Sequence, residues 1–132
     1  MNLEFFDREN ERNPVNGSII SQSARLRELL NQMQDRSPFF CELLGQNGQK
    51  ILLGIGGPKG CVQHSNIDGS PPYLMAVSEN PEHQSEHVDF LIGGTLTPVP
   101  AHYCVPFQTV SEITTYFQMT GERSPMVAWE EV

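Results

Sequence analysis

The chain has 132 residues, 38% of them hydrophobic and 18% charged, and carries a formal net charge of −8 at pH 7. That length fits a single domain burying roughly two thirds of its unfolded surface, and the ordinary apolar content excludes an intrinsically disordered chain. No run approaches the ~20 apolar residues that span a bilayer, and the opening Met1–Asp7 has neither a basic n-region nor an apolar core, so neither a membrane segment nor a secretory signal is expected.

The charge is lopsided. Residues 1–59 hold seven acids and seven bases, whereas from Gly60 onward nine acids face Arg123 alone. Such a field attracts cations and repels polyanions, and nucleic acid would have to bind against it with almost no Lys or Arg to displace counterions. A basic protein surface is the more natural partner, although acidity also serves plain solubility. Cys41, Cys61 and Cys104 are odd in number, widely spaced and set among apolar residues. They read as reduced buried thiols of a cytoplasmic protein; one disulfide plus a free thiol also fits the count.

In chain order, Leu3–Asp7 forms a short opening strand, and residues 8–17, with breakers Pro14 and Asn16-Gly17, link it onward. Ser21 or Ser23 caps a helix running to about Gln34, in which Leu26, Leu29, Leu30 and Met33 make one apolar stripe opposite Arg25, Arg27 and Gln32. Ser37-Pro38 ends it. Phe39–Leu44 and Lys50–Ile55 flank Asn47-Gly48, the signature of a hairpin with a type I′ turn. Residues 56–60 turn the chain into a strand at Cys61–His64, and another is expected at Tyr73–Val77. Residues 78–87 are polar and acidic and predict an exposed loop, before a strand at Val88–Gly93. With prolines at 98, 100 and 106, the stretch Thr95–Pro106 is not expected to be regular in its middle. A second helix begins either with Pro106 at its first position or with Thr109–Glu112 as a capping box; Val110, Ile113 and Phe117 form its buried stripe and Gly121 stops it. Met126–Val132 closes the chain as a short strand. The sum is a single α+β domain over residues 1–132: an antiparallel β-sheet meander with two α-helices packed on it, preceded by the opening strand and polar linker of residues 1–17.

Motifs for chemistry were weighed against plainer readings. Gly54–Gly60 tempts toward a phosphate loop, but its Lys59 follows a proline, no Ser or Thr comes next, and it joins strand to strand without a helix N-terminus. His83 and His87, four apart, with Glu82, Glu86 and Asp89 nearby, outline a metal site on paper; Pro81 and the polar run favour a solvated loop. No nucleophile elbow and no zinc-deaminase signature is present. What remains suits binding. Glu79, Glu82 and Glu86, with Asp89 at their edge, form an acidic loop. Trp129, the only tryptophan, is followed by Glu130 and Glu131, and reads either as an interface anchor or as a core residue of the last strand. Tyr103, in its proline-rich setting, is either a strut or a contact.

Three blocks then match a known family: Leu53–Gln63 (LGIGGPKGCVQ), Phe90–Pro106 (FLIGGTLTPVPAHYCVP) and Thr120–Val132 (TGERSPMVAWEEV). In order and spacing they resemble the immunity protein 1 family of bacterial polymorphic toxin systems, over roughly residues 40–132. His64 departs from the pattern, which usually has a tyrosine on that strand. The resemblance implies a cytoplasmic antidote that binds its own cognate toxin, often a nucleic-acid deaminase and sometimes a nuclease, without catalytic residues, cofactor or metal. An acidic domain filling a toxin's basic groove is compatible with the charge pattern. The partner-binding residues expected are therefore Glu79, Glu82, Glu86, Asp89, Tyr103, Trp129, Glu130 and Glu131. The rival is a small metal-dependent enzyme or regulator built on His83, His87 and their neighbouring carboxylates.

Overall fold

Alternation of apolar and polar side chains builds most of the sheet, and the computed structural model describes it over residues 1–79 and 86–132. The strands are β1 (Leu3–Asp7), β2 (Ile19–Ile20), β3 (Phe39–Leu44), β4 (Gln49–Ile55), β5 (Lys59–Asn66), β6 (Leu74–Ala76), β7 (His87–Ile92), β8 (Thr95–Pro100), β9 (Val105–Pro106) and β10 (Trp129–Glu131). Helix α1 spans Ser23–Met33 and α2 spans Phe107–Thr120. The main path runs β10-β6-β5-β4-β3-β1-β2, so an α+β fold on a mostly antiparallel sheet is what forms. The β7–β8 hairpin leaves that path and meets β3 in parallel through Phe39 and Leu91, just where β1 runs out.

Both helices lie on one face. Leu26, Leu30 and Met33 of α1 and Val110, Ile113 and Phe117 of α2 cover Phe5, Leu43, Ile51, Leu53 and Val62 of the sheet, all buried. Each such side chain contributes roughly 1.5–3 kcal/mol by leaving water. A second, smaller core forms on the opposite face, where Phe90 and Val99 of the β7–β8 hairpin and Cys104 pack on Phe40, Cys61 and Met75. Two glycines permit these approaches. A Cβ on Gly54 would stand 2.7 Å from the Phe90 ring, and one on Gly60 would stand 2.3 Å from the Gly54 carbonyl and 3.0 Å from Val110 of α2. The glycine-rich block is thus a packing device at these positions.

Several local expectations need correction. The β3–β4 turn is not type I′: no residue other than glycine has positive φ among the described residues, so only Gly48 (φ 79°) contributes one. Gly45 N–H donates to Gln49 O at 2.8 Å, closing a three-residue loop. Asn47 keeps an ordinary backbone there and donates through Nδ2 to the Gly121 carbonyl at the end of α2, 2.8 Å away. The two-residue turn with positive φ at both positions occurs instead at Gly93 (55°) and Gly94 (83°). Within Thr95–Pro106, not expected to be regular in its middle, Thr95–Pro100 is a strand despite Pro98 and Pro100. Among the described residues it pairs only with β7, and its register (Asp89 with Pro98, His87 with Pro100) puts both proline nitrogens on the outer edge, where no N–H is required. Helix α1 begins after Gln22 with no side-chain cap, so neither Ser21 nor Ser23 caps it. Pro106 immediately precedes the first helical residue of α2, one place earlier than expected. Glu82 and His83 lie outside the described residues. No helix among the described residues is long and apolar enough to cross a membrane.

Candidate functional site

Pro100 ends β8, and the chain then makes a single 3₁₀ turn over Ala101–Tyr103, closed by Cys104 N–H donating to Ala101 O at 3.0 Å. Three separate segments fasten to this turn. Ala101 N–H donates to the Glu86 carbonyl at 2.8 Å, and Ser78 N–H donates to the His102 carbonyl at 2.8 Å. From β10, the Glu130 carboxylate accepts from Tyr103 Oη at 2.9 Å and from His102 Nε2 at 2.9 Å. Glu79, next to Ser78, is exposed, as are Glu86 and Glu130. Residues 79, 86, 103 and 130, far apart in sequence, therefore meet around one turn.

The electrostatics follow from those bonds. Donation from His102, then from Tyr103, holds the Glu130 carboxyl below its usual range, so it is ionised at neutral pH. The reciprocal bond to Glu130 is the main reason the Tyr103 phenol is raised and stays protonated as a donor. Tyr103 is half-buried against the smaller core, which fixes its ring while its hydroxyl reaches the surface. Of the two readings, the strut is the one these contacts describe.

The other expected residues are placed differently. Strand alternation turns Trp129 to the helix side of β10, half-buried, with its indole N–H donating to Ser124 O at 2.9 Å and its ring edge-on to His64 at 6.3 Å. Glu131 is exposed on that same side. Asp89 is exposed on β7, 3.3 Å from His87 Nε2.

Sequence reasoning missed a cleft beside the turn. It holds about 340 Å³ and lies between the start of α2, β9 and the segment leading into β10. Val105 and Ile113 are its buried floor, Val77 and Val127 its half-buried walls, and Lys59, Glu79 and Glu112 its exposed rim. Glu112 was visible as an acid; that it shares this cleft with Glu79 depends on a long-range crossing that leaves no periodic signal.

The cysteines are all free and buried. Burial pushes the Cys61 thiol up to about 12 and raises Cys41 and Cys104 as well, so thiolate nucleophiles are disfavoured. Among the described residues, no three His, Cys, Asp or Glu side chains are grouped to hold a metal ion.

What the described residues present is a set of exposed carboxylates, an aromatic donor and an adjoining cleft with an aliphatic floor. The family model described as Immunity protein Imm1 matches residues 16–131, nearly the whole chain including α1. This chain belongs to the Imm1 family of immunity proteins. The match implies a cognate toxin as partner. No curated protein matches the sequence.

Proposed function

We propose that this chain neutralises a toxin acting on nucleic acid, a deaminase in the first instance and a nuclease in the second, by seating its acidic end in the toxin's basic substrate cleft. The observation that carries this reading is the convergence of Glu79, Glu86 and Glu130 with Tyr103 around residues 101–103. A toxin that holds nucleic acid needs a basic groove, and exposed acids carried on segments tied to one turn supply the counter-charge that phosphates otherwise bring. Tyr103 is pre-ordered by its bond to Glu130, so little side-chain freedom is lost on contact. Asp89 and Glu131 extend the negative field around this end, and Trp129 supports β10 from behind. The protein acts in the cytoplasm of the producing cell, stoichiometrically and without cofactor.

Competition tests this directly. A catalytically inactive form of the cognate toxin is loaded with a fluorescent single-stranded oligonucleotide and titrated with the immunity protein. Occlusion releases the oligonucleotide at one equivalent. A stable ternary complex, with the oligonucleotide still bound, contradicts the reading.

A further inference from the structure

We infer that the cleft beside the acidic turn is the receptor for one long basic side chain, an arginine or lysine, projecting from the toxin. The inference rests on the reading above and names its central contact. The cleft is built for a side chain of two chemistries. Its floor and walls are aliphatic, from Val77, Val105, Ile113 and Val127, while Glu79 and Glu112 stand exposed at its mouth. A methylene stem lies well on the former and its charged head reaches the latter, the way long cations ordinarily cover apolar surface. A purely apolar guest would fill the floor but draw two carboxylates out of water without bringing a counter-charge, Glu112 keeping only its bond from Gln108 at 3.2 Å, which is costly. The opening at about 340 Å³ admits such a side chain. Its position is also telling, since Glu79 on the rim directly follows Ser78, whose N–H donates to the turn at the His102 carbonyl. A toxin surface basic enough to engage those carboxylates brings cations to this mouth as well.

Lys59 sharpens the test. Among the described residues it is the one base on the rim, it is exposed, and it opposes any incoming cation. A basic guest must therefore bind better when this charge is gone, whereas an apolar guest is indifferent to it.

Affinity for the inactive toxin domain is measured at low and at moderate salt for wild type, Lys59→Gln, the Glu79→Gln/Glu112→Gln pair, and Thr109→Trp, which narrows the mouth. All four sites are at the surface or half-buried, and equal melting temperatures confirm intact folding. The basic side chain requires Lys59→Gln to tighten binding about threefold or more, the double Gln variant to weaken it about tenfold with a shallower salt dependence, and Thr109→Trp to weaken it at least as much. Weakening by Thr109→Trp alone, with both charge variants neutral, means an apolar guest and overturns the inference. No effect from any variant, while wild type still displaces the oligonucleotide, removes the cleft from the interface and leaves the proposed function standing. Failure of wild type to bind the toxin removes both.

Discussion

His64 is only 5% exposed, lies edge-on to Phe117 and near Trp129, and its Nε2 has no hydrogen-bond partner among the described residues. Burial, then the nearby Arg123 charge, lowers its pKa below the ordinary imidazole value. The folded state thus prefers the neutral ring, and the unfolded chain binds more protons once pH drops below about 6.5. Stability is full above that value and is lost as pH falls toward the lower folded pKa. The urea midpoint should decline as pH falls below about 6.5, and His64→Phe should flatten the decline. An unchanged slope in that variant assigns the effect elsewhere. Asp7 works in a lower window. Burial alone would raise its carboxyl, but donors from Asn13, the Asn10 backbone and Arg36 outweigh it and lower the pKa. One oxygen accepts from the Glu9 and Asn10 amides, the other from Asn13 and from Arg36 at 2.8 Å. Asp7→Ala leaves these donors without their acceptor and should cost roughly 2–4 kcal/mol by denaturant unfolding. A loss below ~1 kcal/mol would mean water replaces the carboxylate freely.

At the level of elements, β8 closes one side of the molecule with Pro98 and Pro100 facing outward. Those prolines remove the donors that a foreign strand would need. Replacing both with threonine should leave the melting temperature nearly unchanged, within about 1 kcal/mol of stability, yet promote self-association at high concentration in light scattering. A variant that stays monomeric would show that other features guard this edge. The same strand marks where sequence reasoning reaches its limit. The Leu26, Leu30 and Met33 stripe was legible because helical period alone determines which side is buried. Pro98 and Pro100 read as breakers because their spacing of two matters only once the strand is known to be an edge. Trp129 poses a related problem: its direction depends on the parity of β10, set by pairing with β6 fifty residues earlier. The acids of the site could be read one by one. That Glu130 would meet Tyr103, and that Glu79 would share a cleft with Glu112, depends on contacts between distant segments, which no local pattern encodes.

Across the whole molecule, the division of charge survives folding. Among the described residues, Arg8, Arg25, Arg36 and Lys50 pair with Glu42, Glu28, Asp7 and Glu42, all from the first half of the chain. In the second half, histidines rather than Arg or Lys stand beside Asp89 and Glu130. A surface of this kind accelerates encounter with a basic partner more than it deepens the final complex, and the acceleration fades with salt. The most direct measurement is therefore the association rate with the inactive toxin domain, followed by stopped flow over a range of ionic strength, for wild type and for Glu79→Gln/Glu86→Gln/Glu130→Gln. The acidic-turn account requires the triple variant to associate about tenfold or more slowly at low salt, with a flattened salt dependence. An on-rate and salt slope equal to wild type would contradict it.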